Sequence, residues 1–138
     1  MRPAALVPTP ALRILDRART RRFLATTGPA TAEYVRRHGL LVERGPFAGM
    51  RYLEGLERTS GDLVAKLTGA YERELHPVIE EWVASRPQHV IDVGCAEGYY
   101  AVGLALAIPG ATVHAFDIDE VARARCRALA ELNELELP

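Results

Sequence analysis

Lysine is all but absent from this chain: Lys66 stands alone against sixteen arginines. Arginine near the start of the sequence is therefore ordinary, and a poor sign of an organellar transit peptide. The same segment lacks the apolar core of a secretory signal. Cysteine is scarce as well, limited to Cys95 and Cys126, whose spacing matches no metal-ligand pattern. A zinc ribbon and a disulfide scaffold are thereby excluded, and reduced thiols in a cytoplasmic protein are the expectation. No apolar run reaches the roughly 20 residues that span a bilayer. The strongest, residues 101–108, stops at Pro109, so no membrane partner is expected.

With 138 residues, 49% of them apolar, the chain has material for the core of one ordinary domain. Its net charge of −1 conceals two opposite parts. Residues 1–51 hold ten arginines and three acids, a net +7, whereas residues 52–138 hold seven basic and fifteen acidic residues, a net −8. A basic front can dock nucleic acid or an anionic surface. Solvated helix faces, or two halves that attract one another, produce the same asymmetry, and that plainer account is preferred.

Residues 88–119 carry the chemistry. Residues 89–93 are a short β-branched run ended by Gly94, as in a buried parallel strand, and residues 99–108 read as a helix free of breakers until Pro109-Gly110. Between them Gly94 and Gly98 let the backbone turn sharply and come close to a ligand. The amides that open the helix face the same space, a small nest for a polar or anionic group. Residues 111–116 form a second strand, with Asp117 at its carboxyl end, nineteen residues after Gly98. An acid there accepts hydrogen bonds from the hydroxyls of a ribose in doubly wound sheets. The spacing Asp92-x-Gly94-x-Ala96-x-Gly98 is not the G-x-G-x-x-G of a dinucleotide site. Asp92 would repel a pyrophosphate and suits a cationic or amino-bearing ligand.

Together these residues resemble motif I of the class I S-adenosylmethionine-dependent methyltransferases, and Phe116-Asp117-Ile118-Asp119 resembles the acidic end of that family's second strand. The resemblance covers residues 88–133. It implies S-adenosyl-L-methionine as a small-molecule cofactor, bound by Asp92, Gly94, Cys95, Ala96, Glu97, Gly98 and Tyr99 in the turn and by Asp117, Ile118 and Asp119 at the ribose. Ala96 departs from the glycine that many members have, which slightly narrows the approach. Residues 45–50, Gly-Pro-Phe-Ala-Gly-Met, further resemble the segment before the methyltransferase domain in bacterial members related to the FkbM-like group.

Along the rest of the chain, the prolines of residues 1–10 predict a loose tail. Residues 11–25 fit a helix loosely, crowded by arginines, and Thr27-Gly28-Pro29 reads as a break. Thr31 then caps a short helix to His38, stopped by Gly39. Residues 40–44 and 50–53 read as two strands of a hairpin around 45–49. The best helical pattern follows Gly61, with Leu63, Val64, Leu67, Ala70, Tyr71 and Leu75, until Pro77 opens a second helix bearing Val78, Ile79, Trp82 and Val83. Tyr71 and Trp82 are expected in the core, and Glu72, Glu74, Glu80 and Glu81 on a solvated face. The resemblance makes these helices part of a lid, on which Lys66, Tyr71, Glu72 and His76 could face the ligand. Residues 120–135 form the last helix, capped by Asp119, with Cys126 and Leu129 on its apolar side.

The expected class is therefore α/β: a partial Rossmann-like doubly wound parallel sheet preceded by a helical and hairpin accessory region. Residues 1–59 make the basic accessory region, and residues 60–138 the first βαβα part of an incomplete methyltransferase-type domain. Two core strands are supplied where such sheets close with about five to seven. The family's later strands, its adenine-contacting acid and its Asn/Asp-Pro-Pro-Tyr type of loop have no counterpart, so the acceptor substrate and the catalytic residues stay unassigned. The expectation is a truncated or split methyltransferase, its open sheet covered by an oligomer or a partner chain. The alternative is a noncatalytic βαβ interaction module whose basic arm docks a partner or nucleic acid. A nicotinamide enzyme is disfavoured by the glycine spacing.

Overall fold

The computed structural model of the chain describes residues 10–56 and 61–138, and the side chains of all of these except 10–20 and 22–24. The expected tail lies outside the described residues but for Pro10, and so does the boundary at residue 59. The side chains of Arg13, Arg17, Arg19 and Arg22 fall outside them too. Helix α1, Pro10–His38, runs straight through Thr27-Gly28-Pro29, where a break was expected. Pro29 still lacks its own N–H, but Gly28 before it has no Cβ. The clash that normally drives a pre-proline residue out of the α region is thereby eased. Glu33 pairs with Arg36 at 2.8 Å and Arg37 at 2.6 Å in the last turns, and Gly39, at φ 80°, ends the helix as expected.

The hairpin over residues 40–53 is reduced to one antiparallel bridge, Leu41 to Arg51, rather than two strands. Val42 donates its N–H to Met50 O at 2.9 Å and Tyr52 donates to Leu40 O at 2.7 Å. The ladder goes no further because Glu43 N–H turns instead to Leu67 O at 2.7 Å, and residues 45–49 coil on themselves. Val42, Phe47, Met50 and Tyr52 point inward and are buried.

Helix α2, Leu63–Thr68, is much shorter than its apolar pattern suggests. Gly69, at φ 70°, caps it, and a Cβ there would lie 2.3 Å from the carbonyl oxygen of Arg44. The close approach of the hairpin and the left-handed backbone both demand glycine, so the helix ends where they meet. A 3-10 turn, Arg73–Leu75, leads into α3, His76–Ser85, with Pro77 in its first turn. Trp82 corrects the core assignment. It is 52% exposed on α3, because the face it occupies looks along the open edge of the sheet.

Strand β1, His89–Val93, and β2, Thr112–Phe116, pair in parallel, with His89 opposite Thr112 and Val93 opposite Phe116. Helix α4, Tyr99–Ala107, joins them and α5, Glu120–Leu132, follows. Both helices pack on the face where Val113 is buried with Ala101 and Cys126. Side chains alternate along a strand, so Ile91, Val93 and Phe116 fall on the other face and are exposed, Val93 to 81%. The chain is thus a mixed α/β fold with a two-stranded parallel sheet among the described residues. Asp119 caps α5 as expected, accepting the Val121 N–H at 2.9 Å. The helix stops three residues short of the expected end, because Asn133 leaves it to grip the hairpin. Its Oδ1 accepts the Arg51 N–H at 2.8 Å, and its Nδ2 donates to Arg51 O and to Leu129 O, each at 2.8 Å.

Candidate functional site

The turn from β1 to α4 holds three left-handed residues in alternation: Gly94 at φ 89°, Ala96 at φ 48° and Gly98 at φ 99°. Ala96 carries a side chain in a conformation that suits glycine, at a cost of roughly 1–2 kcal/mol. The two glycines serve different ends. A Cβ on Gly94 would meet nothing within 4 Å, so that glycine opens onto free space. A Cβ on Gly98 would stand 2.8 Å from Cys126 Sγ and 3.2 Å from its Cα, so Gly98 lets α5 approach the turn.

Four amides of the expected nest, those of Gly94, Cys95, Ala96 and Gly98, are used by the protein itself. Gly94 and Cys95 both donate to Phe116 O, at 2.7 and 3.0 Å, and Gly98 donates to Cys95 O at 2.8 Å. Ala96 donates to Asp117 Oδ2 at 3.0 Å, while Asp117 Oδ1 accepts the Asp119 N–H at 2.8 Å. The carbonyl and carboxylate at the end of β2 therefore fasten the turn to the second strand. The amides of Asp119 and Ala96 hold the Asp117 carboxyl below the usual carboxylate range. Its oxygens keep lone pairs for further donors, since each accepts one bond here. Arg123 anchors the Asp117 backbone, donating to its carbonyl at 2.7 Å. Ile118 beside it is fully exposed.

Glu97 turns inward, away from the space in front of Gly94. Its Oε1 accepts Lys66 Nζ at 2.5 Å and the Tyr52 hydroxyl at 2.6 Å. Lys66 also meets Asp62 at 2.9 Å and lies 4.7 Å from the Tyr71 ring centroid and 5.6 Å from that of Tyr99. Burial would push the Glu97 carboxyl up, but the Lys66 charge and the two hydrogen bonds outweigh it and hold the pKa below its ordinary value. Burial would likewise lower Lys66, and its two carboxylate partners reverse the direction. The sequence reading missed this cluster, although a signal was present: the chain's one lysine occupies the buried stripe of α2 beside Leu63 and Leu67, where a charge needs a partner.

The residues suggested for a lid are brought to one interface and are occupied there. His76 Nε2 contacts Tyr71 O at 3.1 Å, and Glu72 receives the Tyr100 hydroxyl. Tyr99 is buried against Phe47, Tyr71 and Tyr100. Asp92 receives the N–H of Ala101 and so satisfies the first turn of α4, whose cap Gly98 has no side chain to offer. Burial pushes the Asp92 carboxyl up. Cys95 and Cys126 are buried free thiols in mutual hydrogen-bond contact. Burial raises both, Cys126 to about 12, which keeps them protonated and poor nucleophiles. Among the described residues no His, Cys, Asp and Glu cluster has the makings of a metal site, and no helix is long and apolar enough to cross a membrane. What remains is a turn open at Gly94 and edged by Asp117 and Asp119.

No family model and no solved structure matches the chain. Over 48 residues, 35% of its length, the chain is 46% identical to the O-antigen chain terminator bifunctional methyltransferase/kinase WbdD of Escherichia coli. A second protein of that name and organism matches to the same extent. The chain spans only 6% of the length of these relatives. Its similarity to them is a partial one, to proteins that join a methyltransferase to a kinase.

Proposed function

We propose that the chain supplies the S-adenosyl-L-methionine side of a class I, Rossmann-like methyltransferase in the cytoplasm. The observation that carries this reading is Asp117, braced by two amides at the end of β2 and set against the turn that opens at Gly94. A carboxylate fixed by backbone donors keeps its charge and orientation, and its remaining lone pairs suit the paired hydroxyls of a ribose. Gly94 leaves room for the ligand to lie on the backbone. Asp117 and Asp119 give the mouth of the turn a negative potential, which favours a ligand bearing a sulfonium and an ammonium. The amides of Gly94, Cys95, Ala96 and Gly98 already have partners within the protein.

When bound, the cofactor would supply an electrophilic methyl on sulfur, which an acceptor takes by in-line attack as the thioether leaves. The chain's own contribution is to hold the nucleoside and keep its orientation, which is where such an enzyme gains its rate. The partial likeness to a methyltransferase/kinase supports the same reading. Isothermal titration of the purified chain with S-adenosylhomocysteine tests it. Saturable heat is expected, with Asp117→Ala weakening binding at least about tenfold through loss of a charged acceptor. Absence of heat from a chain shown folded by circular dichroism, or equal affinity in Asp117→Ala, would overturn it.

A further inference from the structure

The two ends of the turn are fixed by elements of the βαβ unit. Gly94 and Cys95 hang from the Phe116 carbonyl of β2, and Gly98 packs on Cys126 of α5. The middle is held differently. Ala96 is left-handed, a conformation that is unfavourable for a residue with a Cβ, and its N–H goes to Asp117 Oδ2 at 3.0 Å. Ala96 thus sets where that carboxylate oxygen rests, and something must hold Ala96.

The next residue supplies that hold. The Glu97 side chain is 15% exposed, and donors from three places converge on its carboxylate: Tyr52 of the hairpin, Lys66 of α2 and its own N–H. The main chain at residue 97 is thereby fastened to two elements that lie outside the βαβ unit. Lys66, 6% exposed, is itself fixed, because Asp62 holds its Nζ at 2.9 Å and the Tyr71 and Tyr99 rings flank it. A buried ion pair adds little stability over apolar residues of the same volume, so its direction rather than its strength explains its presence. The choice of cation agrees. In a chain with sixteen arginines the one lysine stands here, where a compact ammonium meets two carboxylates at once and lies against two rings.

We infer that Lys66 and Glu97 are positioning residues of the turn: their buried pair fixes the main chain at residue 97 and, through Ala96, sets the orientation of the Asp117 carboxylate. The bearing on nucleoside recognition rests on the role proposed for Asp117, whereas the bearing on the turn does not.

Lys66→Met combined with Glu97→Leu removes the pair and keeps its volume, so the urea midpoint should stay near that of the parent chain. In this variant the Asp117 carboxyl, followed by carbon-13 NMR through a pH titration, should move up toward its ordinary pKa. Exchange of the Ala96 amide should quicken at least about tenfold, and affinity for S-adenosylhomocysteine should fall about tenfold although stability is kept. Tyr52→Phe removes one donor to Glu97 and keeps the shape of the side chain. It should move the carboxyl and the amide in the same direction by less, with exchange about threefold faster. Ile79→Ala is the control: it takes core packing from α3 and none of these bonds, so it should lower the urea midpoint and leave Asp117 and Ala96 as they are. Unchanged titration of Asp117 with unchanged exchange at Ala96 in the double variant overturns the inference. So does an equal change in Ile79→Ala, which would assign the effect to general loosening, or full nucleoside affinity in the double variant. The carboxyl and amide readouts need no nucleoside. They decide the inference even where the parent chain gives no heat with S-adenosylhomocysteine, an outcome that counts against the cofactor alone.

Discussion

Gly98 of the turn and Cys126 of α5 touch so closely that a single added carbon would overlap the sulfur, at 2.8 Å. Gly98→Ala should therefore destabilise the chain by about 2–4 kcal/mol, summing overpacking and the left-handed backbone. Gly94→Ala meets no atom within 4 Å and should lose only about 1–2 kcal/mol of backbone strain. Nucleoside binding should behave oppositely, with Gly94→Ala weakening it in a chain that still folds. Urea unfolding and calorimetry on both variants separate the two effects.

Ala96 offers the converse experiment. At φ 48° it holds a conformation that glycine adopts freely, so Ala96→Gly should be neutral to stabilising, by up to about 1 kcal/mol. The urea midpoint should rise or hold with an unchanged slope. A clear fall would show that the methyl group packs usefully in the turn.

The buried pair of Lys66 and Glu97 should be costly to break and cheap to replace whole. Lys66→Met alone should cost about 3–5 kcal/mol, because it leaves the Glu97 charge buried, whereas Lys66→Met with Glu97→Leu should recover most of that loss. The pH dependence has a definite sign. Glu97 has a folded pKa below its ordinary 4.5, so its contribution is present above 4.5 and lost as pH falls through the lower folded value. Cys126 is raised from 9.0 to about 12, so its contribution is present below 9.0 and lost as pH rises through that range. Glu97→Gln should flatten the acid limb of a stability profile, and Cys126→Ala the alkaline one.

Asn133 should act as a clamp rather than a surface residue. Asn133→Ala removes three hydrogen bonds, two of them to the backbone of Arg51, and should cost about 2–3 kcal/mol. Hydrogen exchange at the Arg51 amide should accelerate well before that of β1 does. Equal acceleration at both would mean that the hairpin and the sheet open together.

The strand, turn, helix and strand around Gly94 were legible because each is written locally: a β-branched run, a glycine stop, a stretch without breakers, and an acid in the right register. Asp119 as a cap was readable for the same reason. The fate of the turn amides was not, since it depends on where the Phe116 carbonyl lies once β2 pairs in parallel with β1. Gly69 was hidden within an apolar pattern that looked unbroken, and only the closeness of Arg44 shows why it stops α2. Trp82 misled for a different reason: its place on an apolar stripe is real, but the stripe faces an unpaired edge.

Phe47 lies so near Gly103 that a Cβ there would meet its ring at 2.4 Å, and Tyr52 holds Glu97. The segment ahead of residue 57 thus reaches across to the middle of α4 and to the turn itself. Any gene rearrangement that carried the glycine turn to a new setting without that segment would deliver a helix with a bare notch and a carboxylate short of a donor. The two stretches therefore complete one another's packing.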